Sequence, residues 1–165
     1  MEQRVKKLLF KDYLIRKILE GKKTQTRRIV KDSEKGVGRF LIGDILYVPE
    51  AFAKDENGKI HYRLDEPDAT GLHWQASLFM PMRYARVWLE ITRVDIQHVQ
   101  DISEEDAAAD AGLTPDPPYV SMHDSFADMF DGCYGEGAFE MNPLVWVVSF
   151  KRIKPPVEIL VKRER

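Results

Sequence analysis

Residues 86–96 limit the fold of this chain more than any other stretch. Val87, Leu89 and Ile91 alternate with Arg86, Trp88, Glu90 and Thr92, the period of two that marks a half-buried strand. At Arg93 the alternation slips, and Val94 and Ile96 fall on the opposite parity. One extra residue in the strand, a β-bulge, absorbs such a slip, and bulges help strongly curved sheets to close. A curved sheet built around residues 86–96 is therefore the first expectation.

The other elements follow from local patterns. Leu8–Phe10 is a short apolar run that reads as a first strand. Lys11–Glu20 carries Leu14, Ile15, Ile18 and Leu19 at helical spacing, and Gly21 is a natural stop. Thr24–Val30 has β-branched residues at both ends and reads as extended. Gly43-Asp44 is a turn into a short strand, Ile45–Val48, and Asn57-Gly58 marks a tight hairpin. Ser103, followed by Glu104, Glu105 and Asp106, caps a helix that ends at Gly112. The prolines of 114–124 predict a loop, and Asp124–Phe130 a short helix burying Phe126, Met129 and Phe130. Val145–Phe150 reads as a central strand in which Trp146 belongs to the core, and Pro155-Pro156 ends the stretch after it. With no repeat, low-complexity tract or linker, residues 1–165 form one mixed domain, dominated by strands.

Composition narrows the class. With 44% hydrophobic and 32% charged residues among 165, the chain is globular rather than disordered. Cys133 is the single cysteine, which excludes an internal disulfide and points to a reducing compartment. No apolar run has the length of a membrane span, and Met1–Lys7 lacks the apolar core of a signal peptide, so a cytoplasmic protein without membrane contact is expected. His61, His73, His98 and His123 are scattered without metal-ligand spacing, so neither a metal nor another cofactor is expected. There is no phosphate loop and no Gly-x-Ser-x-Gly elbow. The net charge of −2 hides a segregation: residues 1–31 carry eleven Lys/Arg against Glu2, Asp12 and Glu20. Residues 151–165 carry six against Glu158 and Glu164. If the two ends meet, they form a basic face on an acidic body.

Several blocks carry a resemblance. Gly21-Lys22-Lys23-Thr24-Gln25-Thr26-Arg27-Arg28 resembles the G-x-K-T-x-T-x-R signature of ASCH domains. Gly43-Asp44-Ile45-Leu46-Tyr47-Val48-Pro49-Glu50 resembles their next block. Ile102–Ala107 followed by Asp110 resembles the later helix. Asn142–Val148 is similar to the closing strand of ASCH-like proteins often encoded by phages and prophages. The order and spacing of these blocks span roughly residues 8–153. The phage-type proteins usually have Trp and Arg where Tyr47 and Pro49 stand, and commonly Glu in place of Asp110.

The resemblance implies an α+β, PUA-like fold: a small, curved, mostly antiparallel β-barrel with two or three flanking helices. It also implies a partner that is RNA or a modified nucleoside of the cytidine type. A bacterial branch of the family removes the acetyl group from N4-acetylcytidine, and its Lys, Thr and Glu fall here on Lys23, Thr26 and Asp110. As chemistry, a Lys with a lowered pKa can take the proton of Thr26. Alternatively a charged Lys23 stabilises the oxyanion while Asp110 activates water. Asp is one methylene shorter than Glu, and a misplacement of about 1 Å can cost roughly a hundredfold in rate. In a regular strand Lys23 and Thr26 point to opposite faces, so they share a cleft only if the chain turns between them.

Lys22, Arg27 and Arg28 read either as a solvated basic strand or as contacts to RNA. Tyr47 and Glu50 fall where the family lines its cleft. Glu50 either accepts from a base or pairs with Arg28 or Arg86. Arg86 can meet a phosphate, while Trp88 either stacks on a base or packs under a helix. Three function classes remain: a binding module, an enzyme (an amidohydrolase or a ribonuclease), and a phage accessory protein whose acidic middle meets another protein.

Overall fold

The computed structural model describes residues 3–36, 38–114 and 121–163. Strands β1 (Val5–Lys7), β2 (Gln25–Ile29), β3 (Ile45–Val48), β6 (Val87–His98) and β7 (Leu144–Ile153) form a five-stranded sheet in the order β1-β3-β6-β7-β2. Only β1 and β3 pair in parallel; the other neighbours are antiparallel. The helices are α1 (Asp12–Leu19), α2 (Glu104–Ala111), α3 (Met122–Tyr134) and α4 (Val157–Arg163). A separate hairpin, β4 (Phe52–Lys54) and β5 (Ile60–Tyr62), turns at Asn57-Gly58, where Gly58 has φ +83°.

The long β6–β7 pair is the spine, and its register shifts between Ile91 and Arg93 as the sequence parity predicts. Ile91 faces Phe150 and Arg93 faces Ser149, so Thr92 is the inserted residue. Val94, opposite Val148, thereby returns to the apolar face that Val87, Leu89 and Ile91 already occupy. That face packs on Leu14, Ile15 and Ile18 of α1, together with Leu8 and Phe10. Leu8 and Phe10 are thus core, Leu9 is exposed, and the run is not a strand. The ladder to β3 is made by Val5–Lys7, and the apolar run connects β1 to α1.

The opposite face is covered in two halves. Val145 and Val147 of β7 pack under α2 and α3 through Ala107, Ala108, Phe126 and Phe130. Ile45 and Trp88 pack under Phe52, Met80 and Ala85, with Ile159 and Leu160 of α4 against them. Residues 87–91 are therefore buried on both faces around Trp88, not on one as the alternation predicts. Helix α4 was hidden by Pro155-Pro156; the Pro156 carbonyl accepts the Ile159 and Leu160 N–H groups, and proline is compatible with a helix start. Helix α3 is longer than expected because Glu104 reaches across from α2 and accepts the Met122 and His123 N–H groups at 2.8 and 3.1 Å. Of the predicted loop at 114–124, residues 115–120 lie outside the described residues.

The expected barrel does not close. Among the described residues β1 and β2 are the two edges of an open sheet, and no ladder joins them. Layers of helix and hairpin on both faces bury the apolar surface that closure would otherwise bury. The same topology divides the basic N-terminal segment. Val5 of β1 packs against the same core cluster as Ile159 and Leu160 of α4, while α1 carries the chain across the sheet, so the cations of β2 stand at the far edge. Among the described residues, β1 and α4 thus share a core cluster to which Lys22–Arg28 do not belong.

His61 of β5 sits between Asp55 (Nε2–Oδ2 2.8 Å) and Glu66 (Nδ1–Oε2 2.7 Å). Asp55, and after it Glu66, hold its pKa above the usual 6.5. A histidine whose folded pKa is raised contributes most below its unfolded value, and the contribution fades as pH rises through the folded pKa. The stability difference between the wild type and His61→Gln should therefore be greatest below pH 6.5 and shrink on moving to alkaline pH. Denaturant titrations across that range check it; a difference that grows with pH contradicts the pairing.

Candidate functional site

The site forms at the β2 edge, where the end of α1 runs into the strand. Gly21, at φ +75°, ends the helix, and the Lys22 and Lys23 N–H groups both return to the Lys17 carbonyl. The Thr24 N–H then donates to the Ala109 carbonyl, which ties this segment to α2. The turn precedes the strand, and it sends the Lys23 side chain inward. Lys23 and Thr26 accordingly line one cavity, although a regular strand would have separated them. The chain can approach α2 so closely because Gly112 ends that helix at φ +67°; a Cβ there would stand 2.6 Å from the Lys17 Cβ.

Lys23 is completely enclosed. Its ammonium donates to Asp110 Oδ1 (3.0 Å), the Asp110 carbonyl (2.6 Å) and the Gln25 carbonyl (2.8 Å). All its protons are thus engaged. Burial pulls the Lys23 pKa down while Asp110 opposes it. With a carboxylate and two carbonyls around the ammonium, the geometry is that of the charged form. The other oxygen of Asp110 accepts from Arg27 Nη1 at 3.0 Å. Arg27 Nη1 also donates to Gln25 Oε1, and its Nη2 lies 3.6 Å from Asp106. Arg27 Nε and Nη2 are buried with no hydrogen-bond partner.

Arg28 differs from both. It donates to the Leu9 carbonyl (2.8 Å) and to the Thr26 hydroxyl (3.3 Å), and its guanidinium lies 4.7 Å from the Phe10 ring centroid. Among the described residues it makes no ion pair with a carboxylate. Burial lowers its pKa, with Tyr134 opposing.

The cavity holds about 320 Å³. The segment leading into α1 forms one wall with Phe10, and α3 forms the other with Phe126, Phe130, Cys133 and Tyr134. The cations stand between these walls. Sequence reasoning missed the α3 wall, although Phe126, Phe130 and Tyr134 recur at a spacing of four, which places them on one face of a helix.

The remaining candidates lie elsewhere. Lys22 is exposed and pairs with Glu20 at 2.9 Å. Buried Glu50 takes Arg86 in a two-pronged pair at 2.8 and 2.9 Å, and Asp65 takes the same guanidinium at 2.6 and 3.0 Å. Those hydrogen bonds, Glu50 first, hold Arg86 above its ordinary pKa. Tyr47 tilts against Trp88 with ring centroids 5.7 Å apart. Tyr47, Glu50 and Arg86 thus sit apart from the cavity that Lys23, Thr26, Arg27, Arg28 and Asp110 line. Among the described residues no group of three or more His, Cys, Asp or Glu is placed to hold a metal, and no helix is long and apolar enough to cross a membrane.

No family model and no curated protein matches the chain. Solved structures do. Protein EF3133 from Enterococcus faecalis V583, described by the family model DUF984, is 14% identical, with 93% of this chain and 82% of that one covered and a TM-score of 0.50. Hypothetical protein PH0355 is 13% identical, with 90% and 99% covered and a TM-score of 0.50. An ASCH domain from Lactobacillus crispatus JV V101 is 14% identical, with 92% and 80% covered and a TM-score of 0.49. At these identities the first two likenesses are of fold alone: a mixed α+β sheet flanked by helices.

Proposed function

We propose that this chain is an ASCH-type, PUA-like module that takes RNA or a modified nucleoside of the cytidine type into the cavity at the β2 edge. The observation that carries this reading is a guanidinium without a carboxylate partner in an aromatic-walled cavity. Arg28 keeps its charge there with only neutral acceptors around it. Aromatic walls stack bases, and an unpaired guanidinium meets phosphate or carbonyl oxygens. The blocks that resemble ASCH domains supply the same residues, Lys23, Thr26, Arg27, Arg28 and Asp110.

Hydrolysis of an N4-acyl cytidine is the second reading, favoured by the convergence of Lys23, Thr26 and Asp110 on one cavity. Against it, the Thr26 hydroxyl has Arg28 Nε, a donor, as its partner, and among the described residues no base is hydrogen-bonded to it. Lys23 and both oxygens of Asp110 are already committed to each other and to Arg27. Binding without turnover is therefore the better-supported function.

Calorimetric titration with cytidine, N4-acetylcytidine and short single-stranded RNA tests the proposal. Binding of RNA should weaken as salt rises, by a log–log slope of about −0.7 for each phosphate neutralised. Absence of binding by all three ligands at low salt would overturn it. Release of cytidine from N4-acetylcytidine, abolished in Lys23→Ala or Thr26→Ala, would replace it with the hydrolase.

A further inference from the structure

We infer that the β2-edge cavity is built for a nucleotide that carries a phosphomonoester, with the phosphate against Arg28 and the base against the aromatic wall. This rests on the reading of the cavity as a nucleoside or RNA site and specifies which form of that ligand it takes.

The argument begins with the charges in the wall. Asp110 divides its carboxylate between Lys23 and Arg27, both enclosed, so neither has a counter-ion to itself. Asp106, at 3.6 Å and partly exposed, is the only other acid at Arg27 among the described residues. Even with both acids counted, a positive charge remains, and it resides on Arg28, which among the described residues has only the Leu9 carbonyl and the Thr26 hydroxyl as acceptors. A neutral nucleoside can accept hydrogen bonds from that guanidinium but leaves its half-buried charge uncompensated. A phosphomonoester brings about −1.5 to −2 at neutral pH and removes the excess.

Shape supports the same choice. The Arg28 guanidinium is held over Phe10, so its fork is fixed before a ligand arrives, and a planar fork matches phosphate oxygens. Tyr134, which is exposed, offers ring surface on the opposite side, with the buried rings of Phe126 and Phe130 packed behind it. A volume of about 320 Å³ lies at the small end of ligand cavities, the size for one nucleotide rather than a run of chain. The ligand is thus a mononucleotide or the phosphorylated end of an RNA.

The test compares cytidine, cytidine 5′-monophosphate, cytidine 3′-monophosphate and short RNAs with and without a terminal phosphate, with inorganic phosphate as a base-free probe. A monophosphate should bind about ten- to a hundredfold more tightly than cytidine, and Arg28→Ala should bring the two to parity. Inorganic phosphate should bind more weakly than the nucleotide. Preference for phosphorylated RNA over the mononucleotide would identify an RNA end as the source; equal affinity would identify the nucleotide itself. Equal binding of cytidine and its monophosphates by the wild type overturns the inference while leaving the nucleoside site intact. So does inorganic phosphate binding as tightly as the nucleotide. Binding of none of these ligands removes the site and the inference together. Should Arg28→Ala fail to fold, the wild-type ratio and its decline with salt decide the matter alone.

Discussion

Asp110→Ala is expected to destabilise the protein by about 3–5 kcal/mol, the loss that follows when one member of a buried charge cluster is removed. Lys23 and Arg27 have side chains 0% and 1% exposed, and among the described residues Asp110 is the one carboxylate hydrogen-bonded to both. Without it, Lys23 stays buried with carbonyl acceptors only, and Arg27 keeps just the longer, 3.6 Å pair with Asp106. At about 2–4 °C per kcal/mol for a chain of this length, the melting temperature should fall by roughly 6–20 °C. Asp110→Asn keeps a hydrogen-bonding group without the charge and should fall between Ala and wild type. Thermal unfolding followed by circular dichroism reads both variants. A melting temperature for Asp110→Ala within a degree of wild type would mean that the cluster contributes nothing to folding.

Trp88→Ala is expected to cost about 3–5 kcal/mol for a different reason: the cavity left by a large core side chain. Trp88 is fully buried against Ile45, Phe52, Met80 and Ala85, and its indole N–H donates to the Ala85 carbonyl at 2.9 Å. Removal of the ring leaves a void and an unsatisfied carbonyl. Urea unfolding gives the magnitude. Trp88→Phe should restore most of the stability and leave nucleotide affinity unchanged, because the ring is nowhere near the β2-edge cavity. A Trp88→Phe protein that folds yet binds nucleotide ten times more weakly would place the ligand on the wrong part of the sheet.

Trp88 also shows where the reading of the sequence stopped. Alternation identifies two faces of a strand but not what lies above each. The polar residues flanking Trp88 left open whether its ring stacks on a base or packs under a helix. Arg86 is instead held by Glu50 and Asp65, and hairpin β4–β5, Met80 and α4 cover Trp88. The resemblance groups Tyr47 and Glu50 with Lys23, and Arg86 reads as a phosphate contact from its place on the strand. Tyr47, Glu50 and Arg86 belong to a different cluster, since β3 and β2 are separated by β6 and β7.

What the sequence determined alone were features set by neighbours within a few residues. The bulge after Ile91 follows from a change of parity, helix α1 from apolar spacing, the end of α2 from Gly112, and the hairpin from Asn57-Gly58. Each is governed by backbone geometry that a handful of residues settles. Only the tertiary structure decided the rest. Lys23 meets Asp110 across 87 residues because α1 ends against α2, and the α3 wall reaches the cavity because Glu104 anchors the start of that helix. The sheet stays open because helices cover both faces. Those outcomes depend on which surfaces are buried together, and burial is a property of the packed chain rather than of any local stretch.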